Sequence, residues 1–255
     1  MTKKHDIMWF KSVDSTNEEA RRRISEIDNL SVLSAYEQTS GRGQRGNTWT
    51  SNAGENLLFS VVLKFSPEYS GLGGLEARDQ FILNEIAALS VVDFLRSYGI
   101  HAQIKWPNDI YVGSRKICGI LIENSLRGNR LSSSIIGIGL NINQRNFDIN
   151  LPNPTSMAIV SGIGTDIRKA LEEITDTFRS ICETMLASSE GRTRLHSLYL
   201  SRLWRLDEEH SYVETATGKA FTGTIKGVSP TGRLLIETAD GSLKEFAFKE
   251  ISYII

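Results

Sequence analysis

From Ile135 to Asn143 the chain alternates two kinds of residue: Ile136, Ile138, Leu140 and Ile142 at one parity, Gly137, Gly139, Asn141 and Asn143 at the other. Successive side chains of a strand point to opposite faces, so this segment reads as a strand with one aliphatic face on a core and one face of glycine and amide. Glycine weakens a strand unless something must approach the backbone, so Gly137 and Gly139 predict a flat ligand against that face. A packed aromatic ring or helix filling the gaps is the alternative, though it does not account for the two asparagines. A neighbouring segment repeats the device, with Gly119 beside Lys116.

The rest of the pattern supplies the sheet that such a strand needs. Strands are predicted over Ile7 to Val13, Val32 to Tyr36, Leu57 to Phe65, Ala102 to Trp106, Asp109 to Val112, Ile117 to Leu126 and Leu131 to Asn143, the last two joined by a hairpin turn at Arg127-Gly128-Asn129-Arg130. Helices are predicted from Ser15, where Glu18 has capping-box spacing, to about Ile27, then over about Asp79 to Ser97, Asp166 to Leu186 and Glu190 to Leu203. After Asp207 the texture changes to short strands and closely spaced glycines, which predicts a small β-barrel-like unit. Antiparallel strands with helices gathered between them make this an α+β chain rather than a doubly wound parallel sheet.

Composition narrows the function. Lys and Arg number 29 against 30 Asp and Glu, so no global basic field draws the chain to nucleic acid, and any affinity for polyanions is local. Cys118 and Cys182 lie far apart in apolar segments, as buried residues of a reducing compartment do. The N-terminus leads into no apolar signal core, and the longest apolar run, around Leu57 to Leu63, is too short to span a bilayer. A cytoplasmic protein with no membrane partner is expected.

Three further segments carry chemistry. Gly41 to Trp49 holds three glycines, Arg42, Arg45 and a tryptophan within nine residues, a composition suited to wrapping an anion, although a solvated hairpin tip uses the same residues. It matches neither the GxGxxG nor the GxxxxGK[ST] phosphate fingerprint. Lys105-Trp106-Pro107-Asn108-Asp109 puts a cation, a ring, a rigid turn and two polar side chains at a strand end, where Asn108 and Asp109 also serve as plain turn formers. Lys116 enters the next strand, placed to neutralise phosphate in a transition state or simply to sit at an exposed edge. Ser15-Thr16-Asn17 is the least specific segment, since serine and threonine before a helix commonly act as caps.

Taken in order, Asp14 to Asn17, Gln38 with Gly41 to Trp49, Lys105 to Asp109, Arg115 to Glu123 and Gly137 to Asn143 resemble the biotin protein ligases, and Pro154-Thr155-Ser156-Met157 fits as well. The resemblance covers essentially the whole length. It implies a class II synthetase-like catalytic domain over residues 1–207 with a largely antiparallel mixed sheet, and an SH3-like barrel over residues 208–255. It implies that Ser15, Thr16, Asn17 and Gln38 meet the ureido end of biotin, that backbone around Gly119, Ile120 and Leu121 and around Gly137 and Gly139 lines its ring, and that Gly41 and Gly43 also bind biotin. Arg42 and Arg45 would clamp the biotin carboxylate and ATP phosphate. Trp49, Asn108 and Asn141 would place the nucleotide, Lys116 would reach the carboxylate and α-phosphate, and Asp109 would sit near the acceptor lysine. ATP and biotin are the implied substrates, Mg²⁺ is expected with the phosphates, a biotin carboxyl carrier domain is the transient partner, and homodimerisation is compatible with the family.

The sequence departs from the family pattern at Gln44 and Asn47, where many members are basic. It also has no helix-turn-helix ahead of the catalytic segments, so DNA-binding repressor activity is not expected. The competing functions are a lipoate or octanoate protein ligase, whose acid would prefer a more apolar slot, and a non-catalytic biotin-binding module, which would not need Arg42 and Lys116.

Overall fold

The computed structural model describes residues 6–66 and 75–255, with Arg45 described by its backbone alone. Strands β1 (Ile7–Phe10), β2 (Val32–Ala35), β3 (Leu57–Lys64), β4 (Gln103–Lys105), β5 (Asp109–Val112), β6 (Arg115–Arg127) and β7 (Arg130–Leu140) form a seven-stranded sheet in the order β1-β2-β3-β7-β6-β5-β4. Only β1 and β2 run parallel. The long hairpin β6–β7 at its centre turns at Gly128, whose φ of 64° suits glycine.

Strand alternation sorts the residues into two layers. Phe59, Val61, Ile136, Ile138 and Leu140 bury one face against helix α2 (Ile82–Ser97), behind which stack α4 (Ile167–Met185) and α5 (Ser189–Leu200). The opposite parity faces α1 (Thr16–Arg22), where Ala20, Leu33, Val62 and Ile135 make a smaller core. A short helix, α3 (Met157–Ser161), follows the last strand of the large sheet. The helix ends obey ordinary capping: Asp166 accepts from the Arg168 and Lys169 N–H groups, Ser188 accepts from Gly191, and Gly99 ends α2 at φ 72°.

The element bounds differ from the sequence expectation in instructive places. Helix α1 stops at Arg22, five residues short of Ile27, and β7 stops at Leu140, so Asn141 and Asn143 lie beyond the pleat. Helix α2 begins at Ile82 after a separate 3-10 turn at Ala77–Asp79. The predicted capping box does not form, because Ser15 makes no side-chain cap bond. The first N–H of α1, on Thr16, donates instead to Gln38 Oε1 at 2.7 Å, a cap supplied by the segment after β2 that is bridged to Val13.

The C-terminal segment forms a separate antiparallel sheet, ordered β11-β10-β9-β8-β12, from β8 (Glu209–Glu214), β9 (Ala220–Val228), β10 (Leu234–Thr238), β11 (Leu243–Phe246) and β12 (Ile251–Tyr253). It docks on the large unit through Trp106, whose indole N–H donates to the Gly232 carbonyl at 3.0 Å and whose ring meets Phe248 edge-on. No helix among the described residues is long and apolar enough to cross a membrane.

Candidate functional site

A cleft of about 540 Å³ opens on the α1 face of the large sheet, floored by β6 and β7 and rimmed by the Gly41–Trp49 loop, the Lys105–Asp109 turn and the C-terminal sheet. At one part of its wall, the start of α1 is held by a polar network. Gln38 Oε1 accepts from the Thr16 backbone and hydroxyl, Ser60 Oγ lies 2.8 Å from Thr16 Oγ1 and 2.6 Å from Asn17 Oδ1, and Asn17 Nδ2 donates to Glu123 Oε2 at 2.8 Å. Asn17 is only 2% exposed and its Oδ1 presses on Gly137, where no Cβ would fit. Its amide is therefore committed to holding the wall, as is the Thr16 hydroxyl between Gln38 and Ser60, and Ser15, Thr16, Asn17 and Gln38 all line the cavity.

The loop is an ordered hairpin. Trp49 N–H donates to Gly41 O, Gly43 N–H to Asn47 O, and a 3-10 turn at Gln44–Gly46 closes the tip with Gly46 at φ 86°. Gly41 is required because a Cβ there would strike the Trp49 carbonyl. The Trp49 indole then lies across the glycine notches of both central strands. A Cβ on Gly139 would come within 2.5 Å of the ring, and one on Gly119 within 2.9 Å. The flat group against Gly139 is thus this tryptophan, the alternative the sequence left open, while Gly137 accommodates Asn17. Trp49 Nε1 has no hydrogen-bond partner although it is buried.

Charge on the loop is already engaged. Arg42 pairs with Glu18 at 2.5 Å and with Glu123 at 2.6 Å, and Arg21 joins both carboxylates. Burial pushes the Glu123 carboxyl up, but the Asn17 and Arg21 hydrogen bonds and the Arg42 and Arg21 charges outweigh it and hold the group below its ordinary range. Arg42 keeps 39% of its side chain exposed, and ion pairs so wet contribute about 0–1 kcal/mol, so a ligand anion can take the guanidinium from them.

Across the cleft, Lys116 Nζ bonds Asp109 at 2.7 Å and stands 5.6 Å from the Trp49 ring centre. Its backbone is pinned on both sides, donating to Asn153 O and accepting from Thr155. Lys105 is largely withdrawn from water between the Tyr111 and Tyr253 rings, 4.9 Å from each, and burial lowers its pKa against the raising influence of Asp109. The Trp106–Pro107 bond is cis. Asn108 uses its Nδ2 on the Ile120 carbonyl at 2.6 Å, fixing β5 to β6.

Of the residues expected at the site, all but three line this cleft. Gly41 is paired with the Trp49 backbone at the base of the loop, Asn141 is 4% exposed with its amide on Thr155 O, and the Arg45 side chain is outside what is described. Asn141 therefore braces the wall instead of facing the cavity. Sequence reasoning missed Ser60, signalled only as the one polar residue within the apolar run Leu57 to Leu63. It also missed the roles of Glu18 and Glu123, and the C-terminal contributions of Thr215, Phe248, Lys249 and Tyr253. Among the described residues no group of His, Cys, Asp or Glu side chains gathers as a metal site.

Hydroxyl and amide groups at one wall, a tryptophan laid across the glycine notches of the floor and cations on the rim make a cleft whose chemistry suits a small polar molecule with an anionic tail. Residues 9–141 match the biotin/lipoate A/B protein ligase family, and residues 213–252 match the biotin protein ligase C-terminal domain. The bifunctional ligase/repressor BirA of Escherichia coli (strain K12) is 30% identical over 244 residues, 94% of this chain and 71% of its own length. The biotin acetyl-CoA-carboxylase ligase of Paracoccus denitrificans is 30% identical over 236 residues, 89% of this chain and 92% of its own. The solved structure of biotin protein ligase from Aquifex aeolicus in complex with biotin and ATP is similar at a TM-score of 0.78 and 28% identity, covering 97% of each chain. The chain belongs to the biotin/lipoate A/B protein ligase family.

Proposed function

We infer that the protein is an ATP-dependent biotin protein ligase, which activates biotin as biotinyl-5'-AMP and transfers the biotinyl group to a lysine of a carboxylase carrier domain. One observation carries this: a single cleft, in a chain of this family, places hydroxyl and amide groups and two cationic side chains, Arg42 and Lys116, around a glycine-notched floor. In the first step a biotin carboxylate oxygen bonds to the α-phosphorus of ATP, the bond from that phosphorus to the bridging oxygen breaks, and the electron pair leaves with pyrophosphate. Two anions must meet, and cations offset their repulsion. Arg42 would exchange Glu18 and Glu123 for substrate oxygens, and Lys116 would exchange Asp109. In the second step Asp109, released from Lys116, receives the carrier lysine's ammonium, which loses a proton to water. The resulting amine attacks the acyl carbon, AMP departs with the bonding pair, and a second proton leaves the nitrogen to water as the amide forms. Positioning and exclusion of water supply the rest.

Mg²⁺ belongs with the nucleotide as part of the substrate. We propose further that residues 1–207 hold the chemistry and residues 208–255 form the second domain, that the protein works in the cytoplasm on a transiently bound carrier domain, and that a homodimer is compatible with its edge strands. The family includes lipoate as well as biotin ligases, and the polar wall of the cleft favours biotin. Ser15, Thr16 and Gln38 suit a urea-like ring and offer nothing to a dithiolane. Biotin-dependent ATP–pyrophosphate exchange, with lipoate as competitor, decides it. Exchange driven by biotin and indifferent to lipoate supports the proposal; exchange driven by lipoate alone replaces it, and no exchange with either leaves a binding module. Transfer to a purified carrier domain, abolished when its target lysine is replaced, completes the test.

A further inference from the structure

A second cavity, of about 380 Å³, lies apart from the cleft and shares no lining residue with it. It opens where the end of α2 meets the approach to β4 and the residues that follow α5. Each of those segments brings one basic side chain to it: Arg96 in the last turn of α2, His101 just before β4, and Arg202 after α5. None of the three side chains makes a hydrogen bond or ion pair with the described residues, not even Arg96 with Asp93 one turn earlier on α2.

The usual work of such groups is done by other atoms. Cations at a helix C-terminus commonly answer its free carbonyls, but here the backbone does so: Tyr98 and Ile100 N–H donate to Leu95 O, and Gly99 N–H donates to Arg96 O. Arg202 is fixed through its main chain, its N–H on Tyr199 O at 3.0 Å and its carbonyl accepting from Ile104 N–H at 2.8 Å. Its guanidinium stands free on a pinned backbone. Basic groups gathered around a concavity with low-dielectric walls draw in an anion.

The rest of the lining says what kind of anion. Val92, Ile100 and Ala102 are buried and apolar, a surface for a carbon body beside the charge, and the volume is that of a small-molecule site. One guanidinium fork already satisfies the two oxygens of a carboxylate, whereas two forks and an imidazole, with the exposed Gln103 amide as a further donor, match a doubly charged tetrahedral group.

We propose that this cavity is a binding site for a small organic phosphate, a monoester whose dianion lies among Arg96, His101 and Arg202 and whose apolar part rests on Ile100 and Ala102. The site is separate from the ligase cleft and does not depend on the function inferred for it.

A ¹H–¹⁵N NMR titration of the full chain with phenyl phosphate tests this, with inorganic phosphate and benzoate as comparisons at matched ionic strength. Phenyl phosphate should move the amides of residues 100–103 and of Arg202 along saturating curves, and it should bind more tightly than either comparison. In Arg96→Ala and in Arg202→Gln its affinity should fall about tenfold, the loss of one charge-assisted hydrogen bond, with biotin affinity unchanged. Arg96 is exposed on a helix that tolerates alanine, so Arg96→Ala keeps the test open if Arg202→Gln does not fold. Shifts confined to the ligase cleft, shifts at this cavity that never saturate, or undiminished affinity in the folded variants would overturn the site. Benzoate binding as tightly as phenyl phosphate would overturn its assignment to a phosphate.

Discussion

Replacing Gly139 by alanine separates the two functions of the glycine-notched strand. The new methyl carbon would stand 2.5 Å from Trp49 Cε2 and 2.7 Å from Nε1, against about 3.5–4.0 Å for ordinary contact, so the indole must move by roughly 1 Å. Nothing on the floor can yield, because Gly139 is paired on both sides, with Leu58 and with Gly119. The ring belongs to a half-exposed loop and takes the displacement with it. Overpacking a rigid core costs about 1–3 kcal/mol, and a loop that shifts relieves most of it, so stability should fall by less than about 1 kcal/mol. Activity should fall further, since a misplacement of about 1 Å at a reacting centre costs on the order of 10²-fold.

Gly137→Ala is the contrasting perturbation. Its methyl meets Asn17, which is buried and tied to Ser60, Leu121 and Glu123, so the strain has no loop into which it can dissipate. This variant should lose about 1–3 kcal/mol, or roughly 2–4 °C of melting temperature per kcal/mol for a chain of this size. Thermal denaturation and the rate of biotinyl-AMP formation, measured on both proteins, give the comparison. A Gly139→Ala protein with wild-type adenylation, or one that melts below Gly137→Ala, would refute the reasoning.

Other outcomes follow from the same contacts. Arg42→Ala and Lys116→Ala should each slow adenylate formation by about 10²–10³-fold, the effect of removing one preorganised charge contact; a wild-type single-turnover rate removes that residue from the chemistry. Glu123→Gln weakens the bonds to Asn17, Arg21 and Arg42 and should lower stability by about 1.5–3 kcal/mol in urea unfolding at neutral pH. Because the folded Glu123 carboxyl is held low, its contribution is present above the unfolded value of 4.5 and is lost as pH falls through the folded one, so the variant should show a shallower acid-side loss than wild type. The buried Glu85–His196 contact, 2.6 Å long, works in the opposite sense. The Glu85 hydrogen bond raises the His196 pKa against burial, so that stabilisation is full below 6.5 and is lost as pH rises through the folded value. Melting temperatures from pH 6 to 9 should fall in wild type and flatten in His196→Ala.

Much of this was legible in the sequence where the physics is local. The alternation over Ile135 to Leu140 gave the strand and its buried face, Gly128 and Gly99 gave a turn and a helix stop, and Asp166 gave a cap, each from a preference expressed within a few residues. The family motifs covered the cleft residues outside the C-terminal sheet and none of those within it. Partners distant in the chain were not legible. Ser15 and Glu18 carry the letters of a capping box, yet Gln38 caps the helix from 22 residues away, and Glu18 turns to Arg21 and Arg42. Gly139 announced a flat neighbour without saying that it was Trp49, and Asn141 looked like a cavity residue until the strand ended one residue before it. The share of the C-terminal sheet in the cleft depends on how Trp106 meets Gly232, a docking no single segment encodes.

A crystal structure with biotin and a non-hydrolysable ATP analogue tests the central claim most directly. The carboxylate and α-phosphate should lie side by side between Arg42 and Lys116, with Arg42 withdrawn from Glu18 and Glu123 and Lys116 from Asp109. Ligand tails bound elsewhere, with those three ion pairs intact, would contradict it.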